Sequence, residues 1–246
     1  RPATAGTRSA AVPVGTAVMS TGMYLEVPVG EQLLGKAIDP LGHPLNHEGT
    51  FLQTKEFRKT DATPASIKTR RIIKDKFPTG VAIVDLLVPL GKGQRQLIIG
   101  DRKTGKSSFL LQTLKTHIKT GGICVYGFIG KKRLEIEKLK EFLHTEKLEH
   151  AVTIVASSAD DAASLIYHTP YTAMTQAEYF RDQGKNVLVI LDDLLTHAKF
   201  YREIALLSKR FPGRNSYPAD IFYTQARLLE RAGNVTHANG EAAITC

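Results

Sequence analysis

The sequence contains no tryptophan, two cysteines and three methionines among 246 residues. Two thiols do not make a disulfide framework. Cys124 lies inside the apolar run ICVYGF and reads as a buried small residue, while Cys246 carries no pattern. Long apolar runs are missing too: none approaches the roughly 20 residues that span a bilayer. The arginine-bearing start is not followed by the apolar stretch of a secretory signal. A reducing, cytoplasmic setting is the simplest expectation. There is no internal repeat and no low-complexity tract. Acidic residues fall short of basic ones, 24 against 33, for a net charge of +9. That excess would suit nucleic acid or an anionic surface. The lysines, however, are spread along helix-like segments such as KKRLEIEKLKEF rather than gathered in one patch, so no nucleic-acid partner is expected.

What is present is the balance of an ordinary globular chain, 42% apolar and 23% charged. Residues 1–17 (RPATAGTRSAAVPVGTA) are small and Gly/Pro/Ala-rich and read as an arm without a core of its own. Residues 18–60 hold short apolar stretches broken by Gly and Pro, consistent with short strands and turns, and 61–75 read as a polar loop. From Phe77 onward strand-like and helix-like segments alternate. Strands are predicted at 96–99, 123–128, 152–156 and 187–191. Helices are predicted at 106–118, 134–144, 160–183 (with Pro170 as a candidate kink), 196–207 and 219–232. The run at 187–191 is apolar throughout, as in a central strand of a parallel sheet. The alternation predicts an α/β fold, a mainly parallel sheet flanked by helices, preceded by the arm and a β-rich entry segment.

Residues 100–107 read GDRKTGKS, which fits G-x-x-x-x-G-K-[ST] at every fixed position. Gly100 and Gly105 let the backbone turn so that successive N–H groups face phosphates, and the helix that follows adds its positive end. Lys106 would reach the β- and γ-phosphates and the Ser107 hydroxyl would ligate Mg2+. The expected nucleotide contacts are Gly100, Asp101, Arg102, Lys103, Thr104, Gly105, Lys106, Ser107 and Ser108. The pattern predicts a P-loop NTPase core binding ATP or ADP with Mg2+.

A second half-site is expected where LVILDDLL ends its strand. Asp192 follows four apolar residues and would hold the metal through water. Asp193 either caps the next helix or supports a metal-bound water from behind. Turnover also needs a group that orients the attacking water. In oligomeric ATPases of this design it sits just past the second strand, and here that place reads GFIGKKRLE. Lys131 stands there, either as a solvated lysine or as a phosphate contact, and cannot act as a carboxylate. Glu135 and Glu137 look like surface positions. No catalytic residue is assigned.

Three blocks make the chain recognisable: VPVGEQLLGKAIDPLG, TGVAIVDLLVPLGKGQRQLIIGDRKTGKSS and LDDLLTHAKFYREIALLSKRFPGRNSYPADIFYTQARLLERAG. From about residue 19 to 233 the sequence resembles the alpha-subunit family of the bacterial rotary F-type ATP synthase. The resemblance implies a RecA-like nucleotide domain over 18–246, truncated at its C-terminus, with 1–17 a remnant of a β-barrel domain. It implies a heterohexamer in which alpha subunits alternate with catalytic beta subunits around a gamma shaft, with a peripheral-stalk subunit attached. The assembly sits at the cytoplasmic face of the cell membrane as a peripheral part of a proton- or sodium-translocating machine. Alpha sites in that family bind Mg-ATP without turning it over. Where Lys131 stands, the alpha pattern has glutamine and the beta pattern the catalytic glutamate, and Lys103 replaces the usual alpha glutamine. By the same resemblance the loop 211–218 lies near the shaft, and the arginine finger and most adenine contacts belong to a stretch beyond Cys246. A piece without its last strands is expected to expose apolar sheet surface.

Three other classes fit these residues less well. A secretion-linked hexameric ATPase would need glutamate in place of Lys131. A ring-shaped RNA translocase would need stacking aromatics ahead of the core, where only the segment 19–24 and Phe51 are available. A scaffold with a decayed site is at odds with intact Lys106, Ser107 and Asp192.

Overall fold

The computed structural model describes residues 15–45, 54–101, 103–237 and 239–246. Of the expected arm only 15–17 falls within this range; residues 1–14, Phe51 and Arg102 lie outside the described residues.

The chain runs through β1 (Glu26–Val29), β2 (Ala37–Ile38), β3 (Glu56–Lys59), β4 (Lys76–Phe77), α1 (Ala82–Leu87), β5 (Leu90–Gly91) and α2 (Lys106–Lys119). It continues through β6 (Ile123–Lys131), α3 (Arg133–Thr145), β7 (Val152–Ser158), α4 (Ala163–Asp182), β8 (Val187–Asp192), α5 (Leu194–Leu207), α6 (Ile221–Leu229), β9 (Gly233–His237) and β10 (Gly240–Thr245). The central sheet has six strands in the order β2-β7-β6-β8-β10-β9. All neighbours are parallel except β9, which pairs antiparallel with β10 at one edge.

The two-residue period of a strand sorts the apolar side chains onto opposite faces. Cys124, Tyr126 and Phe128 of β6 join Val152, Ile154, Leu188 and Ile190 on one face, under Leu114 and Ile118 of α2 and Ile136, Leu139 and Leu143 of α3. Ile123 and Val125 face the other way with Val155, Val187 and Val189, under Ala173, Met174, Ala177 and Phe180 of α4 and Leu228 of α6. The result is a three-layer α/β sandwich, as the alternating pattern predicts. Cys124 is buried as expected.

The entry segment is a β1–β3 ribbon with antiparallel pairing, seated on α4. Polar contacts stitch it there. Thr172 Oγ1 donates to the Pro40 carbonyl (2.6 Å), Gln176 Nε2 donates to the Pro28 carbonyl, and Arg58 Nη1 donates to Asp182 Oδ2 (2.7 Å). Arg231, 1% exposed, donates through Nε (3.0 Å) and Nη2 (2.6 Å) to the two carboxylate oxygens of Glu178. Its Nη1 donates to the Thr60 carbonyl at 2.8 Å and its Nη2 to Thr175 Oγ1 at 2.9 Å. A buried charge is tolerable only when paired and hydrogen-bonded in this way.

One predicted strand is not formed. Residues 96–99 are irregular, and Leu97 (68%) and Ile99 (85%) are exposed. The edge of β8 can pair with one neighbour only, and β10 takes it, with Ile244 opposite Val187 and Thr245 opposite Leu188. In that place β10 buries Ala242, Ala243 and Ile244. The segment before the loop instead runs beside the end of β10: Gln96 N–H donates to the Cys246 carbonyl (2.7 Å) and Cys246 N–H to the Gln94 carbonyl (3.1 Å). Gly93 permits the crossing. Its φ is +92°, and a Cβ there would lie 2.5 Å from Asn234 N.

Candidate functional site

The phosphate loop closes on itself and opens α2. Gly105 sits at φ 91°, a left-handed conformation that suits glycine, and no side chain caps the helix. The first-turn N–H groups are therefore left for an anion, backed by the helix dipole. Lys106 is half-buried, and its Nζ donates to the carbonyls of Gly100 (2.6 Å) and Asp101. Thr104 Oγ1 donates to the Asp101 carbonyl at 2.8 Å. Lys103 takes φ 64°, the second left-handed position of the turn. Asp101, Lys103, Thr104, Gly105, Ser107 and Ser108 are exposed. The loop is thus a surface turn in which a lysine ammonium is held by neutral carbonyls, and a phosphate oxygen would be a stronger partner for it.

The strand ends build a second cluster. β8 pairs with β6 up to Phe128 opposite Asp192, so Asp192 and the last residues of β6 meet at the carboxyl edge of the sheet. Gly130, at φ +60°, turns the end of β6 against α4 and α5; a Cβ there would meet Thr196 Cγ2 at 3.0 Å and Ile166 Cγ2 at 3.3 Å. Lys131 emerges from this turn and pairs with both aspartates, at 2.8 Å to Asp192 Oδ1 and 3.1 Å to Asp193 Oδ2. Tyr126 Oη donates to Asp192 Oδ2 at 3.2 Å. Asp193 caps α5, its Oδ1 accepting from Thr196 N–H at 2.6 Å. Of the two roles open to Asp193, the cap is the one the geometry realises.

The electrostatics follow from this packing. Burial works to lower the Lys131 pKa, but the hydrogen bonds and charge of Asp192, then those of Asp193, outweigh it and raise it, so the ammonium is secure. For Asp193, burial works upward while the Thr196 N–H, the Thr196 hydroxyl and Lys131 pull down, and the net shift is downward. The Tyr126 hydroxyl is pushed well above its ordinary value, first by burial and then by the charge of Asp192, so it remains a donor.

Among the described residues no hydrogen bond or ion pair links the loop to this cluster. Reading along the chain singled out Lys131, Asp192 and Asp193 one at a time; it missed their mutual pairing and Tyr126 altogether. Tyr126 lies in the same alternating face of β6 as Cys124 and Phe128, and only that register hinted at it. Glu135 and Glu137 are exposed as expected, Glu137 accepting from Lys140 at 2.8 Å.

The groove along α6, about 380 Å³, is lined by Thr63, Pro64, Tyr223, Ala226, Arg227 and Glu230 and by none of the expected nucleotide contacts. An open groove of this make-up offers few convergent polar groups, and the loop is the better anchor for an anionic ligand.

The donor types suit Mg2+, which prefers oxygens: the Ser107 hydroxyl and the Asp192 carboxylate. Among the described residues no group of three or more His, Cys, Asp or Glu could hold a metal. Mg2+ at a nucleotide does not need one, because phosphates and waters complete its shell. Both Asp192 oxygens, however, already have partners.

The profile of the ATP synthase alpha/beta family, nucleotide-binding domain, matches residues 80–246. The chain is 44% identical over 231 residues to the ATP synthase subunit alpha of Acholeplasma laidlawii (strain PG-8A), covering 94% of this chain and 46% of that protein. It is 42% identical over 231 residues to the ATP synthase subunit alpha of Aquifex aeolicus (strain VF5), with the same coverage, 94% and 46%. The chain therefore spans about half the length of the curated relatives it matches.

Proposed function

Since the chain belongs to the ATP synthase alpha/beta family, we propose that it is the nucleotide-binding part of an alpha-type subunit, holding ATP or ADP at a site that does not turn it over. Residues 18–246 would be the nucleotide domain and 1–17 what leads into it. The observation that carries the reading is a pair of features: a glycine-framed loop that presents Lys106 at the start of α2, and a lysine, Lys131, at the end of β6 where hydrolysis would call for a carboxylate.

The binding steps follow from charge and geometry. Phosphates would draw Lys106 off the Gly100 and Asp101 carbonyls, since an ammonium–phosphate bond is charge-assisted on both sides. The N–H groups of the loop and the uncapped helix would take the remaining oxygens, with Gly100, Asp101, Arg102, Lys103, Thr104, Gly105 and Ser108 shaping the cradle. Ser107 and, through water, Asp192 would hold Mg2+, which when bound neutralises phosphate charge. Lys131 supplies no proton acceptor, its ammonium being raised in pKa by the two aspartates, so an attacking water would go unactivated.

The relatives' printed name, ATP synthase subunit alpha, supports a place in an ATP synthase. From the sequence resemblance we further assign it beta subunits, a gamma shaft and a peripheral stalk as partners, and a peripheral position on the cytoplasmic face of a membrane across which the whole machine moves protons or sodium. No helix among the described residues is long and apolar enough to cross a membrane. The loop 211–218, with Phe211 98% exposed, is the segment we assign to the shaft-facing side. The test is to mix the chain with a catalytic beta subunit and measure bound nucleotide and turnover, alongside the chain alone. Binding by the chain without turnover is expected. Robust hydrolysis by the chain alone would sink the reading and favour an ATPase with its own chemistry.

A further inference from the structure

We propose that Lys131 is a tethered cation that offsets part of the carboxylate charge a divalent metal would otherwise offset, so that this chain holds nucleotide with less dependence on Mg2+ than it would without the lysine. The inference rests on the nucleotide-binding reading above and concerns how the same site balances its charge.

Two carboxylates meet at the strand ends, and left alone they would repel incoming phosphates. Lys131 reaches both, at 2.8 Å to Asp192 Oδ1 and 3.1 Å to Asp193 Oδ2. The remaining Asp192 oxygen accepts from Tyr126 Oη, and the remaining Asp193 oxygen accepts from Thr196 N–H. Every carboxylate oxygen of the pair thus already has one partner. A metal-bound water seeking Asp192 would compete with a lysine whose side chain, like that of Asp192, is only about one-fifth exposed (20% and 18%). A half-buried pair is screened less than a surface one and is correspondingly harder to break. The pairing is also built by the backbone: the left-handed Gly130 lies so close to Thr196 and Ile166 that a Cβ there would be tight and strained, which brings the next residue to the start of α5. One ammonium against two carboxylates leaves the cluster with one negative charge in place of two, so phosphates meet less repulsion and need a metal less; with the lysine removed, both charges face them.

The experiment titrates ADP into the full chain by calorimetry, in Mg2+ and in EDTA, for the wild type, Lys131→Gln, Lys131→Arg and Lys106→Ala. The wild type is expected to differ by less than about threefold between the two conditions, and Lys131→Gln to lose at least about tenfold in EDTA while binding well in Mg2+. Lys131→Arg keeps a cation and should behave as the wild type. A second readout is independent of nucleotide turnover: Mn2+ followed by paramagnetic resonance should bind Lys131→Gln more tightly than the wild type. If the wild type binds ADP but loses it in EDTA as strongly as Lys131→Gln does, the inference is overturned and the nucleotide reading stands. If neither the wild type nor Lys106→Ala binds ADP in any condition, the nucleotide reading fails and the inference falls with it.

Discussion

Two cations sit on opposite sides of the molecule and are treated in opposite ways. Arg231 is 1% exposed, locked by both oxygens of Glu178, the Thr60 carbonyl and the Thr175 hydroxyl. Lys106 is half-exposed and, among the described residues, held only by two carbonyls of its own loop. The first has a full set of strong partners and nothing to gain from a ligand. The second has neutral partners and would exchange them for an anion. The difference teaches where this fold keeps a cation for stability and where it leaves one open to an anion: behind α4 in the one case, at the start of α2 in the other.

The largest expected effect tests the first half of that contrast. Arg231→Met leaves Glu178 buried and unpaired and should cost about 3–5 kcal/mol in urea denaturation. ADP affinity of the folded protein should be unchanged, and a loss of affinity without loss of stability would erase the distinction between the two sides. Restoring an apolar pair with Glu178→Leu added should recover much of the cost, as expected when a buried ion pair is replaced whole.

Acid should strike the buried side before the loop. His197 is fully buried, stacked on Tyr167 at 5.0 Å, and neither ring nitrogen makes a hydrogen bond among the described residues. Burial lowers its pKa from 6.5 to about 4; the nearby Tyr167 backbone favours the charged ring, but too weakly and at too poor a geometry to offset this. His117 is lowered to about 4 as well, by burial first, against the carbonyl of Asn186. Both rings are neutral in the fold, whereas the unfolded chain takes up protons below pH 6.5. Stability is therefore full above that pH and falls as pH drops toward 4, by on the order of 1–3 kcal/mol per histidine. Denaturation midpoints across pH 7 to 4 measure this, and His197→Phe should flatten the slope.

A smaller free-energy change should appear at the loop, in binding and not in stability. Lys106→Ala should weaken ADP binding at least tenfold, about 1.4 kcal/mol, yet shift the unfolding free energy by less than about 0.5 kcal/mol. A large stability loss there would mean that the loop is structural after all. The smallest effect lies between the two regions. Asp193→Ala removes the α5 cap and should cost about 1 kcal/mol, with nucleotide affinity in Mg2+ little altered.

Much of the sheet was legible along the chain, because apolar alternation is a local property. The helices at α2, α3 and α5 begin and end within two residues of where their apolar spacing places them. The loop 100–107 was legible for the same reason, Gly105 being required by its left-handed backbone angle and Gly100 by the close approach of Thr104 Oγ1, both within the turn itself. The segment 96–99 was misread. Its residues are as apolar as any strand, and nothing in them records that β10 would take the neighbouring edge of β8. The β9–β10 hairpin went unseen, since Gly, Asn and Ala give weak strand signals.

Residue order alone thus determined the G-x-x-x-x-G-K-[ST] pattern, the α/β alternation, the two strand-end aspartates and a lysine at the end of β6. Tertiary structure decided which strand lies beside β8, that Asp193 caps a helix, and that Lys131 grips both aspartates. Pairing of strand edges and of charges is settled between segments distant in sequence. Each edge and each carboxylate oxygen accepts few partners, and the competition among them is resolved only when the whole chain is packed.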